Sequence, residues 1–294
     1  MADPRTVDPK VPDPKMAEPK KLDPKVADRK VADPKKLDPK TPRAAQDLPT
    51  TPDLGGWLNR IAGYLPEPLT AKQQEQLLAY AGLLREWNEK INLTAILDDE
   101  GIAVRHYQDS LTILPELHAV QVANNQPLRL ADVGTGAGFP GLVIKIVCPK
   151  IEVVLIDALA KRLRFLDTVI ETLGLQGVST VHARAEDAGR HQELREKFDV
   201  VVARAVAALP VLAEYCLPLV RTGGIFLAMK AQVDDELSAA RPAIRTLGGE
   251  PPQVRQFVLA GTDMNRAIVM VRKQQKTPPA YPRKPGKVEQ NPLK

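Results

Sequence analysis

The chain is poor in cysteine: Cys148 and Cys216 are its only two in 294 residues, and they do not form a C-x-x-C pair. A disulfide framework and a structural zinc site therefore have no basis in the sequence, and no metal is expected. Long apolar runs are missing as well. No stretch reaches the ~18 residues that span a bilayer, and the Pro/Lys/Asp-rich N-terminus lacks the apolar region of a signal peptide. The expectation is a cytoplasmic protein without a membrane partner.

Residues 1–50 lack the material for a core. They form a degenerate five-residue repeat, seen in Val11-Pro-Asp-Pro-Lys15, Lys21-Leu-Asp-Pro-Lys25 and Lys36-Leu-Asp-Pro-Lys40. Proline near every fifth position blocks helix propagation, and one apolar residue per repeat cannot be buried, so an extended, disordered tail is expected. A period of five is too short for a solenoid unit. Charge divides the chain further: residues 1–50 carry a net +3, 51–271 a net −4 and 272–294 a net +6. The basic character belongs to the ends. Residues 272–294 read as a basic C-terminal tail, either a phosphate-attracting segment or a plain solvated terminus.

Between the ends, 44% apolar composition is ample for a core. Trp57 to Leu65 and Ala71 to Lys90 show helical spacing, the second with Leu77, Leu78, Ala81, Leu84 and Trp87 apolar, and a third helix is expected over about 102–117. Strand and helix candidates then alternate. Strands are expected at 128–133, 152–156, 178–182, 198–203, 224–229, 254–259 and 265–271, with helices from 140 and over 160–173, 208–219 and 232–247. This predicts an α/β doubly wound, Rossmann-like sheet with a helical N-terminal cap, spanning 51–271.

The first of those strands runs into a glycine turn, Leu128-Arg-Leu-Ala-Asp-Val-Gly-Thr-Gly-Ala-Gly-Phe-Pro-Gly141. Gly134, Gly136 and Gly138 are expected to let backbone N–H groups approach a ligand where a Cβ would collide. The second strand ends in Asp157, placed like the acid that binds ribose hydroxyls in nucleotide-binding βαβ units. An adenosine-containing cofactor is implied, but the glycines fit two. Gly134-x-Gly-x-Gly138 suits S-adenosylmethionine (SAM), and Gly136-Ala-Gly-Phe-Pro-Gly141 satisfies the dinucleotide pattern. The acidic loop Ala183-Arg-Ala-Glu-Asp187 after the third strand favours SAM, because that is where such an enzyme seats the adenine.

Taken together, Asn92-Leu-Thr-Ala-Ile96, Arg105-His-Tyr-Gln-Asp-Ser110, the glycine turn, Leu155-Ile-Asp157 with Lys161-Arg162, Arg184-Ala-Glu-Asp187, Ala203-Arg-Ala205 and Tyr281-Pro-Arg283 resemble the motifs of the RsmG (GidB) family. The resemblance covers about 57–294. It departs from the family pattern at Thr135, where Ser is common, and in residues 1–50, which have no counterpart. It implies a SAM-dependent methyltransferase acting on N7 of a guanine in the 530 loop of bacterial 16S ribosomal RNA, with the rRNA or the small ribosomal subunit as partner. A monomer is expected.

The chemistry agrees with what the chain lacks. Guanine N7 carries an in-plane lone pair, so its methylation needs alignment and no general base. Methylation at C5 of a pyrimidine would need a thiolate, and neither cysteine looks placed for it. No Asn/Asp-Pro-Pro-Tyr segment of the kind used on exocyclic amines follows the fourth strand. The candidate cofactor residues are Asp132, Gly134, Thr135, Gly136, Gly138, Phe139, Asp157, Ala185, Glu186 and Arg204. Asp132 either reaches the methionine end or orders the turn. The family implies that Ala185 and Glu186 frame the adenine through backbone groups.

Arg204, at the C-terminal edge of the fourth strand, is the leading substrate-side and catalytic candidate, able to bond guanine O6 or clamp phosphate; the alternative is a surface ion pair. Lys230, at the next strand edge, is the second catalytic candidate, as a phosphate contact or as an ordinary solvated lysine. Arg105 and Asp109 share a helical face, which suggests an ion pair; the resemblance adds a role for Arg105 and His106 in positioning RNA or cofactor. Arg283 is also a candidate RNA contact.

Overall fold

The computed structural model describes residues 52–124 and 127–294. The repeat over 1–50 lies outside the described residues.

Two capped helices open the domain. α1 (Leu54–Ala62) starts at Asp53, whose carboxylate accepts the Gly56 N–H at 2.8 Å. α2 (Ala71–Ile91) starts with a reciprocal Thr70/Gln73 capping box and ends at Asn92 in the left-handed conformation, φ 48°. Its buried stripe is Leu77, Tyr80, Ala81 and Leu84, so Tyr80 takes the core position expected of Leu78, which is exposed. The single helix expected over 102–117 is broken. α3 (Asp99–Gly101), a π-helical turn over Ile102–Gln108 and α4 (Asp109–Leu111) run together, and α5 (Leu114–Asn124) follows separately.

The strands are β1 (Arg129–Val133), β2 (Glu152–Asp157), β3 (Val178–His182), β4 (Phe198–Arg204), β5 (Val220–Lys230), β6 (Gln253–Val258) and β7 (Asn265–Arg272). They form one sheet in the order β3-β2-β1-β4-β5-β7-β6. β1 to β5 pair in parallel, and β7 runs antiparallel to both β5 and β6. The connecting helices are α6 (Gly141–Val147), α7 (Ala160–Thr172), α8 (Ala185–Ala188), α9 (Leu209–Cys216) and α10 (Asp234–Thr246). The doubly wound sheet with helices before it is as expected. β5 begins four residues earlier than its apolar run suggested, because the polar Arg221-Thr-Gly-Gly224 stretch is carried into the strand.

Central strands are buried on both faces. Val200 and Val202 join the core shared with α1, α2, α6 and α7, whereas Val201 and Ala203 join the core under α9 and α10. The chain turns one way from β1 to β2 and β3 and the other way from β4 to β5. The crevice between the C-terminal ends of β1 and β4 is therefore the topological switch point, where open α/β sheets bind ligands.

Residues beyond β7, expected to form a basic tail, fold back onto the domain. Lys273 is 1% exposed and its Nζ donates to the carbonyls of Leu217 (2.6 Å) and Val220 (3.2 Å). Arg195 ties the segment down by donating to the carbonyls of Thr277 and Tyr281. A last turn, α11 (Lys287–Gln290), buries Val288. Two of the charges that made this stretch read as a tail, Lys273 and Arg283, are consumed by buried acceptors. Arg272, Lys276, Lys284 and Lys287 remain exposed or half-buried. Among the described residues, no helix is long and apolar enough to cross a membrane, and no group of three or more His, Cys, Asp or Glu is placed to hold a metal ion.

Candidate active site

Two cavities of about 290 and 390 Å³, the size of small-ligand sites, lie at the switch point and share Ala205, the residue after β4. The smaller is built around the glycine turn. Buried Asp132 at the end of β1 accepts the Thr135 hydroxyl (2.7 Å) and the Gly141 N–H (2.9 Å) on Oδ2, tying the turn to the start of α6. Its Oδ1 is buried without a partner among the described residues. Burial pushes this carboxyl up to about 6, against the pull of those two hydrogen bonds.

Two of the three glycines also answer to the protein's own packing. Gly134, Gly136 and Gly138 all have positive φ (70°, 60° and 95°). A Cβ on Gly138 would lie 2.5 Å from the Tyr80 hydroxyl, and one on Gly134 2.6 Å from Val206, so both are required by the protein's own packing. Five of the turn's N–H groups are also spent internally. Gly134 and Thr135 donate to the Ile156 carbonyl, Gly136 to Asp157 Oδ2 at 3.0 Å, and Gly138 and Phe139 to the Thr135 carbonyl. A pyrophosphate needs free N–H groups at this turn. Their use here, together with the antiparallel β7 inserted beside β5, counts against the dinucleotide alternative.

Asp157 is 3% exposed, and besides Gly136 it receives the Leu159 N–H (2.8 Å) and an Arg162 guanidinium (3.3 Å). It lines the smaller cavity with Gly134, Ala185, Glu186, Tyr215 and Glu289. Leu159 and Val206, both exposed large apolar side chains, also line it and offer a flat ring apolar contact. Of the expected cofactor residues, Gly134, Asp157, Ala185 and Glu186 face this cavity. Asp132, Thr135, Gly138 and Phe139 are buried behind it, and Arg204 faces the neighbouring one.

The residues fit SAM. Asp157 presents carboxylate oxygens for ribose hydroxyls, and the apolar pair suits an adenine. The unpartnered Asp132 Oδ1 is an acceptor of the kind a cationic methionine end requires.

The larger cavity is lined by Arg105, His106, Asp109, Arg204, Lys230 and Arg266, with Phe257 and Ile268 among its apolar members. The expected Arg105–Asp109 ion pair is not formed. The helix winds as a π-turn here, and Asp109 is taken by Arg204 (2.8 Å) and Arg266 (2.6 Å). Arg204 also donates to the Arg105 carbonyl and lies 5.5 Å above the Phe139 ring. It forms the ion pair that was the alternative to a substrate role, and it also lines the cavity. Lys230 is committed: its Nζ bonds the Ala207 carbonyl (2.8 Å) and Glu236 (2.8 Å), holding the loop after β4 against α10. As a catalytic or phosphate-contacting group it is corrected to a positioning one. Arg105 is exposed, and its guanidinium has no partner among the described residues.

His106 stacks on Phe139, with ring centroids 4.3 Å apart and 8° between planes, and bonds the Thr94 hydroxyl at 3.1 Å. Burial, with Arg204 adding to it, lowers its pKa to about 4, so the ring is neutral near pH 7. Both thiols are pushed upward by burial, which disfavours thiolate chemistry.

Arg283 is the clearest correction among the RNA contacts. Its Nε and Nη2 grip the fully buried Glu214 at 2.9 and 2.6 Å, and its backbone N–H adds a third bond at 2.7 Å. This guanidinium is a structural clamp. Sequence reasoning did not single out Arg266, Tyr80, Tyr215 or Glu289. Arg266, Tyr215 and Glu289 line the two cavities and Tyr80 packs behind the glycine turn, all from distant segments that no local spacing marks.

A family model described as rRNA small subunit methyltransferase G (GidB) matches residues 73–267. Ribosomal RNA small subunit methyltransferase G of Acetivibrio thermocellus is 48% identical over 225 residues, covering 76% of this chain and 90% of that protein. The namesakes from Desulfitobacterium hafniense (48% identity, 84% of this chain, 99% of that protein) and Staphylococcus carnosus (46%, 76% and 92%) are similar over comparable lengths. The motifs, the sheet order and these matches agree: the chain belongs to the rRNA small subunit methyltransferase G family.

Proposed function

We propose that this chain transfers the methyl group of SAM to N7 of a guanine in the 530 loop of 16S rRNA, in the small ribosomal subunit. The observation that carries the reading is that an adenosine-type cavity and a cationic cavity meet at Ala205, over the C-terminal ends of β1 and β4. In the second cavity four cationic side chains outnumber Asp109 and the Glu236 partner of Lys230, so the surplus suits a polyanion.

SAM supplies an electrophilic methyl group; the chain's residues supply alignment. Asp157 and the Ala185–Glu186 backbone fix the cofactor, and Asp132 takes its methionine end. Arg105 and Arg204 hold the acceptor strand, with Arg204 oriented by Asp109. Positioning of this kind is worth about 7–11 kcal/mol when the reacting atoms are held in line. No residue has to remove a proton from N7, which agrees with a His106 kept neutral and stacked, and with thiols kept protonated.

The test compares free guanosine, naked 16S rRNA and small-subunit particles as acceptors of tritiated methyl from SAM, followed by mass mapping of the modified nucleotide. Label in the 530 loop as an N7-methylguanine is the expected result. Label confined to free nucleoside, or mapped to another ring position, would overturn the assignment. Asp157→Ala is expected to weaken S-adenosylhomocysteine about 100-fold in calorimetry, since two hydrogen bonds to a charged group are lost.

A further inference from the structure

The Tyr281-Pro282-Arg283 motif finds no use in the proposed reaction, and the Arg283 clamp on Glu214 explains only why the segment stays down. The residues after Arg283 have a second attachment. Tyr215, the next residue on α9 after Glu214, donates its hydroxyl to Glu289 Oε1 at 3.0 Å. Adjacent residues of one helix thus pin the segment near both its ends, with Val288 buried between. Glu289 is thereby held in the wall of the cofactor cavity, beside Tyr215, Ala185 and Glu186. Burial, reinforced by Glu289, pushes the Tyr215 hydroxyl well above its ordinary range, so it remains a donor. Glu289 Oε2 has no partner among the described residues.

We propose that Glu289 is a specificity-determining residue of the cofactor cavity: its carboxylate, fixed by Tyr215, accepts a hydrogen bond from the exocyclic amino group of the adenine. An ionised carboxylate only accepts. It therefore selects a purine with a donor at that position and repels one carrying a carbonyl oxygen there. The C-terminal segment is in this view a part of the active site, with 74 residues separating Glu289 from its anchor on α9. The proposal rests on the smaller cavity being the SAM site.

The experiment is calorimetric titration of the full chain with S-adenosylhomocysteine and with S-inosylhomocysteine, in which a carbonyl replaces the amino group. Wild type should prefer the adenosyl compound by at least about tenfold, the scale of one hydrogen bond to a charged group. In Glu289→Ala the preference should collapse toward one through loss of adenosyl affinity. In Glu289→Gln it should fall because an amide can also donate to the carbonyl, which raises inosyl affinity. Tyr215→Phe should give an intermediate preference, its carboxylate being present but unfixed. An unchanged ratio in Glu289→Ala, with the wild-type melting curve retained, would overturn the proposal alone. Failure of wild type to bind S-adenosylhomocysteine at all would overturn the cofactor reading and this proposal with it.

Discussion

The two cavities that meet at Ala205 are built by different means. The cofactor side is assembled chiefly from strand ends that follow one another in the chain: the turn after β1, Asp157 at the end of β2, and Ala183 to Glu186 after β3. The larger, cationic cavity collects Arg105, His106 and Asp109 from the helical cap, Arg204 from β4, Lys230 from β5 and Arg266 from β7. Its central carboxylate, Asp109, is bonded by arginines 95 and 157 residues away. A site made of consecutive βα turns keeps its spacing whatever the rest of the chain does. A site made of crossing ion pairs exists only in the folded protein.

That contrast is sharpest where the cofactor side stops being local. Its outer wall depends on the Arg283–Glu214 clamp, and Arg283→Ala would strand a fully buried carboxylate. The expected loss is about 3–5 kcal/mol of stability, read as a lower midpoint in denaturant at unchanged slope. A loss within about 0.5 kcal/mol would mean that the C-terminal segment is dispensable and that the cofactor cavity is local throughout.

The same contrast explains what the sequence revealed. Strand positions and the order of strands and helices were legible because parallel strands buried on both faces read as apolar runs, and because Gly134 and Asp157 have fixed places relative to strand ends. The π-turn over Ile102–Gln108 was not, since its apolar spacing resembles that of an ordinary helix. That misreading carried the Arg105–Asp109 pair with it. Lys230 and Arg283 read as available cations because sequence spacing alone does not show which acceptor each one meets, even with Asp234-Asp-Glu236 close to Lys230. Their partners are a carbonyl and Glu236 for the first, and Glu214, 69 residues away, for the second. Gly134 and Gly138 answer to a packing demand that the turn itself does not show: Val206 and Tyr80, which leave no room for a Cβ there, come from outside the turn.

Within the local half, Asp132 separates stability from binding. Its folded pKa is raised to about 6 from 3.8. A carboxyl shifted upward favours the folded state while protonated in both states, and that contribution is lost as pH rises through about 6. At pH 7 the wild type therefore carries a buried, half-satisfied charge. Asp132→Asn keeps an oxygen for Thr135 and Gly141 and removes the charge, so it should be more stable by on the order of 1–2 kcal/mol at pH 7. The gain should shrink toward pH 4, and S-adenosylhomocysteine affinity should fall. A variant less stable than wild type at pH 7 would show that Oδ1 is solvated in the free protein.

In the non-local half, Arg105 is the cavity-lining cation whose guanidinium has no partner among the described residues. Arg204 and Arg266 share Asp109 and Lys230 has Glu236, so replacing any of these disturbs the scaffold as well as the cavity. Arg105→Ala touches no partner among the described residues and lies on the exposed side of the π-turn, so its melting temperature should match wild type. Binding to small-subunit RNA should weaken by about 1 kcal/mol, and the slope of log affinity against log salt should fall by about one, the signature of one lost phosphate contact. S-adenosylhomocysteine affinity should not move, because Arg105 lines only the second cavity. A change in cofactor affinity with no change in salt slope would place Arg105 on the cofactor side and erase the division at Ala205.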